Sequence, residues 1–266
     1  MSIRALSTAV TGMNAQSTNV DVIANNLANV NTHGFKKQNA QFEDLLYQQI
    51  RSVGTTTATG TRLPTGMQVG VGTRLVGLQR YFDQGSLDQT GRKLDLAVMG
   101  DGFFQVVTDS AGTIGYTRAG NLNRGPDGVL MDPNGHILQP QITVDTQVPM
   151  ENINIAPDGR VQILLPGQTS FTDVGQITLS RFPNPEGLRA LGQNLFAETS
   201  ASGTPVTDNP GSQGLGNLQQ GSLELSNVDL VKELTDMIKA QRAYEINSES
   251  IKTADEMLQT AGNLRR

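Results

Sequence analysis

Both ends of this chain repeat apolar residues at helical spacing, while the stretch between them is broken every few residues by turn signals. That contrast limits the possible folds more than any other feature. At the N-terminus Ile3, Leu6, Val10, Met13, Val20, Ala24 and Leu27 fall on alternating steps of three and four, with Ser17 the polar exception, which is the a/d seam of a helix that packs on another helix. Ser2 can cap its start, and Gly34 stands where a glycine stop would end it. Near the C-terminus Leu230, Leu234, Met237, Ile238, Tyr244, Ile251 and Leu258 repeat the pattern, diluted by Gln241 and Ser248. Ser226 and Asp229 form a helix-start signal just ahead of it. A helix over about 227–262 would be roughly 50 Å long. Lys232–Asp236 and Lys252–Glu256 are expected i,i+4 pairs on its flank.

The middle reads differently. Asp101-Gly102, Pro126-Asp127-Gly128, Asp132-Pro133-Asn134-Gly135, Pro157-Asp158-Gly159, Pro183-Asn184-Pro185 and Ser202-Gly203 separate short β-type runs such as Phe103–Val107, Ile153–Ile155, Val161–Leu165 and Ile177–Leu179. This is the texture of antiparallel hairpins rather than of βαβ units. Aromatics at 5% and 29 glycines in 266 residues suit a turn-rich β region with a thin core. The polar, aperiodic stretch 52–61 reads as a loop or arm. The expected class is therefore α+β: an N-terminal helical segment (1–34), an extended β-rich arm (35–75), a central, mainly antiparallel β domain (76–222) and a C-terminal helical segment (223–266).

Two such helices raise the question of what covers them. The backbone entropy lost on ordering both exceeds what two narrow apolar seams return when they shelter only one another, so the spacing points to burial against further copies, with the ends ordering on assembly. Asn25, Asn26, Asn29 and Asn31 carry amides that both donate and accept. They suit register-setting positions in a crowded helical layer, and equally the solvated flank of an ordinary terminal helix.

Composition and motifs exclude several chemistries. A net charge of −5 offers no basic field for nucleic acid or an anionic membrane. With no cysteine there is no thiolate or disulfide chemistry. No run approaches the length of a membrane span, and the N-terminus lacks a signal-peptide pattern. His33 and His136 lie far apart, each near a glycine, and read as solvated turn residues rather than as ligands or bases. The Gly70-Val71-Gly72 segment lacks the third glycine of a dinucleotide loop, and Asp127–Gly135 lacks a calcium-loop oxygen pattern. Asp95 and Asp101 make no acid–base pair. No catalytic residue, metal ligand or cofactor is expected. Of Phe103 and Phe104, strand alternation sends one ring to each face of its sheet. A β domain binding a glycan strand on a helical stalk is the reading that competes with self-assembly.

Three segments resemble the flagellar rod and hook protein family. Residues 24–37 (ANNLANVNTHGFKK), turning at Gly34-Phe35, resemble its N-terminal signature; 94–106 (LDLAVMGDGFFQV) its internal motif; and 223–230 (LELSNVDL), with 241–245 (QRAYE), its C-terminal signature. Residues 42–51 (FEDLLYQQIR) and 63–72 (LPTGMQVGVG), with Leu63, Pro64, Gly66, Val69 and Gly70, are similar to the arm that marks distal rod subunits. The resemblance implies a structural, non-enzymatic subunit exported without a cleaved signal peptide. It implies polymerisation into a rigid hollow shaft that crosses the periplasm towards the outer membrane, transmits torque to the hook and conducts exported subunits. The terminal helices would form a coiled-coil inner layer, with the arm adding axial contacts. Implied partners are further copies, proximal rod proteins, the hook protein, the surrounding peptidoglycan and outer-membrane ring proteins and the flagellar export apparatus, with no nucleic acid among them.

Overall fold

The computed structural model describes residues 2–52, 65–109, 112–165 and 170–263, and divides them into two compact units. Leu63, Pro64 and most of the polar 52–61 stretch lie outside the described residues, as does the side chain of Ile3. The class is α+β as expected, with one long helix at each end and mainly antiparallel sheets between.

The helical unit comprises Met1–Ala28, Gln38–Gln79 and Asp229–Arg266. Its helices are α1 (Ser2–Ala28) and α2 (Leu230–Asn263). Between them run β1 (Gln38–Asp44), β2 (Gln48–Arg51), β3 (Met67–Val69) and β4 (Thr73–Arg80). β1 pairs with β4, and β2 with β3 in an antiparallel ladder where Gln48 faces Val69.

Helix α1 stops six residues short of Gly34, because Asn29 and Thr32 form a turn of their own: the Thr32 amide donates to Asn29 O and its hydroxyl to Asn29 Oδ1. Short polar side chains compete here with helical hydrogen bonding. Helix α2 starts at Leu230, later than the Ser226 signal suggests. Its cap is Asp229, whose Oδ1 accepts the amides of Val231 (3.0 Å) and Lys232 (3.1 Å), two donors that the first turn otherwise leaves open. The flank pairs also differ from expectation: Lys239 takes Asp236 and Lys252 takes Glu249, both at i,i+3.

The β unit comprises Asn29–Lys37 and Arg80–Val228. It contains β5 (Leu87–Gln89), β6 (Leu96–Met99), β7 (Phe103–Val107) and β8 (Ile114–Thr117). β7 sits inside a nine-stranded antiparallel sheet, flanked by β8, Ile137–Gln139 and Leu179–Arg181. The expected run 177–179 becomes a strand only from Leu179, and 161–165 becomes Arg160–Ile163. The turn signals act as read: Gly128, Gly135 and Gly159 each take positive φ and donate back across a tight turn.

Phe103 and Phe104 point to opposite faces of β7, and both faces are covered. Phe104 joins the main aliphatic core with Leu96, Leu122, Leu138 and Leu179, while Phe103 joins an aromatic cluster with Tyr116, Phe182 and Phe196. Rings in that cluster meet edge to face, Tyr116 and Phe182 at 4.7 Å between centroids. Burial, with Glu198 nearby, pushes the Tyr116 phenol up to about 12.

The β unit also buries an ionic knot of Lys36, Arg118 and Glu224. Lys36 Nζ donates to Glu224 Oε1 and to the Asp83 carbonyl, each at 2.6 Å. The Gly85 amide donates to the same Oε1 at 2.9 Å. Arg118 Nε lies 3.3 Å from Oε2 without hydrogen-bond geometry, while its terminal nitrogens donate to the Gly100 and Gly102 carbonyls. Two cations thus share one carboxylate. Beside the knot, Gly34 (φ +70°) donates to Glu224 O at 2.8 Å, and a Cβ there would stand 2.7 Å from the Ala119 nitrogen. Its glycine serves this close crossing rather than a helix stop.

Candidate assembly surface

In the helical unit, α1 and α2 meet at Asn26 and Glu233 and again at Gly12 and Asn247. Ala9, Ala15, Val22, Ile23 and Asn26 are buried on α1, and Glu233, Ala240 and Ala254 on α2. With Asn247, the α2 set steps by seven (233, 240, 247, 254). At Gly12 the approach is close enough that a Cβ would stand 3.0 Å from Asn247 Nδ2. Small residues allow such proximity, but they bury little apolar area.

The apolar residues singled out in the sequence lie on the next face round. On α1, Leu6, Met13, Val20 and Leu27 are half-buried, while Val10 (45% exposed), Ala24 and Asn25 are open. On α2, Met237 and Ile251 are half-buried, and Leu230, Leu234, Ile238, Gln241, Tyr244 and Leu258 are exposed. Leu230, Met237, Tyr244, Ile251 and Leu258 are themselves seven apart, a second stripe offset by three residues from the buried one. In an a/d pair of stripes the intrachain contact therefore uses the small one and leaves the large one at the flank.

Asn26 is the predicted residue most firmly engaged. Its Oδ1 accepts the Gln38 amide at 3.0 Å, and its Nδ2 donates to the Gln38 carbonyl at 2.8 Å and to Glu233 Oε2 at 3.2 Å. One side chain thus ties α1 to β1 and α2. Asn29 falls in the turn after the helix, within the β unit, and Phe35 is half-buried there. In the arm, Gly66 and Val69 are half-buried and Gly70 is exposed. The segment between β3 and β4 meets α1 at Gly72 (φ +121°), where a Cβ would overlap Thr11 Oγ1 and the Thr73 amide donates to the same hydroxyl at 3.3 Å. Around the arm, Leu46, Tyr47, Ile50 and Met67 are exposed.

Sequence reasoning missed the buried positions Ala9, Ala15, Val22, Ile23, Glu233, Ala240 and Ala254, and the close approach of Gly12 to Asn247. The seven-residue step on α2 was the available signal, masked by larger side chains one face away. A groove of about 310 Å³ opens on the helical unit, lined by Ser17, Val20, Asp21, Gln241, Tyr244 and Glu245. No helix among the described residues is long and apolar enough to cross a membrane, and those residues hold no cluster of three or more potential metal ligands. Of the histidines, His136 is not simply solvated: its Nδ1 lies 2.9 Å from Asp132 Oδ2 in a turn.

Three segments match known families: residues 6–36 the flagella basal body rod protein, 97–163 the flagellar hook protein FlgE/F/G D1 domain, and 219–264 the flagellar basal body rod FlgEFG protein C-terminal. Along its whole length the chain is 46% identical over 264 residues to the flagellar basal-body rod protein FlgG of Borreliella burgdorferi, covering 99% of each. The FlgG of Caulobacter vibrioides is 46% identical over 264 residues, covering 99% of this chain and 100% of the relative. That of Bacillus subtilis is 40% identical over 270 residues, again covering 99% and 100%. The chain belongs to the FlgG family of flagellar basal-body rod proteins. It is a structural rod subunit of the flagellar basal body and not an enzyme. Lys36, Arg118 and Glu224 of this rod subunit fall one in each of the three matched segments, so the ionic knot joins all three. The exposed helix stripes likewise lie within the first and last of them.

Proposed function

We propose that this rod subunit builds the distal part of the rod by polymerising helically with copies of itself. The observation carrying this reading is that Val10, Leu230, Leu234, Ile238, Tyr244 and Leu258 remain open to solvent, while the residues buried on α2 are Glu233, Ala240 and Ala254. Exposed apolar stripes on long helices mark surfaces that a partner covers. A layer of such helices, each flank sheltered by the next copy, forms the inner wall of a hollow tube. The arm at 35–75, with its exposed Leu46, Tyr47 and Ile50, runs between successive copies and stiffens the shaft. The β domain at 76–222 forms the outer layer, facing the peptidoglycan and outer-membrane rings. In this reading the tube spans the periplasm between the proximal rod proteins and the hook protein. It transmits torque, and its lumen passes subunits delivered by the export apparatus.

Electron microscopy of the purified full chain tests this directly. Straight hollow tubes are expected; amorphous aggregates or stable monomers at all concentrations would refute it. Leu27→Asp or Met237→Asp is expected to abolish the tubes, because each puts an unpaired charge into the layer at a cost of several kcal/mol per subunit. The β domain should keep its melting temperature in both variants.

A further inference from the structure

Helix α2 presents a compact apolar knob. Val231, Leu234 and Ile238 occupy two turns and are 73%, 42% and 59% exposed. At 3.6 residues per turn they fall on the side of α2 away from the buried stripe at 233, 240, 247 and 254. Arg242, one turn beyond Ile238, adds a cation whose ion pair among the described residues is an exposed i,i+3 contact of 3.5 Å to Glu245 of its own chain, weak enough in solvent to be exchanged for carboxylates of another copy.

The groove on the same unit is its complement. Val20 and the Tyr244 ring offer an apolar lining, Ser17 and Gln241 offer neutral polar groups, and Asp21 and Glu245 place two carboxylates on its rim. Its volume of about 310 Å³ takes a few aliphatic side chains rather than a whole helix face. The apolar knob ends at Ile238 and the groove's residues on α2 begin at Gln241, about 5 Å further along the same helix, so a chain cannot fill its own groove with its own knob.

We infer that the Val231–Leu234–Ile238 knob of one copy seats in the Ser17–Val20–Tyr244 groove of the next, with Arg242 meeting the Asp21 and Glu245 rim. This rests on the polymer reading and names the contact that propagates it. A knob and a groove that are separate patches make a heterologous contact. Each copy gives one and receives one, and the chain of contacts stays open instead of closing as a two-fold dimer.

The chain has no cysteine, so disulfide trapping reports only introduced thiols. Full-length Val20→Cys, Ile238→Cys and the double variant are assembled and then oxidised with copper-phenanthroline and oxygen. Circular dichroism first confirms unchanged helix content. On a non-reducing gel the double variant is expected to give a ladder of trimers and beyond, each single variant to stay monomeric, and the mixed single variants to stop at a dimer. Adding Asp21→Lys to the double variant should lower the ladder yield several-fold at low salt and much less at high salt. A double variant that stops at dimers, or Ile238→Cys forming homodimers alone, overturns the inference in favour of two-fold pairing. Tubes visible by microscopy with no ladder overturn the knob-and-groove contact while leaving the polymer intact. Failure of the unsubstituted protein to form tubes removes both.

Discussion

Glu224→Gln is the most informative single change in the β unit. It keeps the side chain's shape and leaves an acceptor for Lys36 Nζ and the Gly85 amide, now at 2.6 and 2.9 Å from Oε1. What it removes is the one negative charge between two buried cations, Lys36 and Arg118. Stripping one partner from a buried ion pair costs about 3–5 kcal/mol, a large part of the roughly 5–15 kcal/mol that holds a typical domain. Lys36→Met should cost less, about 1–3 kcal/mol for two lost buried hydrogen bonds, because Glu224 keeps Arg118 and Gly85. Combining the two should cost less than their sum, since neighbours in one network couple. Urea unfolding followed by circular dichroism gives the totals, and amide exchange assigns the loss to the β unit. A Glu224→Gln protein within 1 kcal/mol of its parent, or a Lys36→Met protein as damaged as Glu224→Gln, would refute this account of the knot.

The knot also sets a pH dependence. Burial lowers the Lys36 pKa from its ordinary value, and Arg118 acts in the same direction, against the pull of Glu224. Below the folded-state pKa both folded and unfolded chains carry the proton, and the cost of burying it is fully present. Between that pKa and the ordinary lysine value the unfolded chain binds more protons, so this contribution to stability rises with pH. The stability difference between parent and Lys36→Met should therefore shift in the parent's favour as pH rises towards the ordinary lysine value of 10.5, and a difference that stays flat through that value would count against it. Asn26→Ala should destabilise the helical unit by about 1–3 kcal/mol, since it leaves the Gln38 amide and carbonyl without their side-chain partner; loss of exchange protection at Gln38 is the direct readout. Asp229→Ala should cost about 1 kcal/mol and fray the first turn of α2, visible as faster exchange at Val231 and Lys232. Gly34→Ala should impair folding of the β unit, because its φ of +70° and the nearby Ala119 nitrogen leave no room for a Cβ; an unchanged melting temperature would contradict that.

Period and punctuation in the sequence determine a great deal here. Two long stretches at helical spacing became α1 and α2, and the Asp-Gly and Asn-Gly signals became the tight turns between antiparallel strands, because both depend on residues close along the chain. The resemblance of residues 24–37, 94–106 and 223–230 to rod proteins likewise needed only local sequence. Which helix face closes on the other was decided by tertiary structure. An apolar stripe records where hydrophobic area lies, but not whether the same chain or another copy covers it, and the close approach of Gly12 to the Asn247 side chain went with the smaller stripe. The knot of Lys36, Arg118 and Glu224 was equally hidden. A lone charged residue reads as surface until the fold brings its partners from about 80 and 190 positions away, and a charge can be buried only where such partners arrive together.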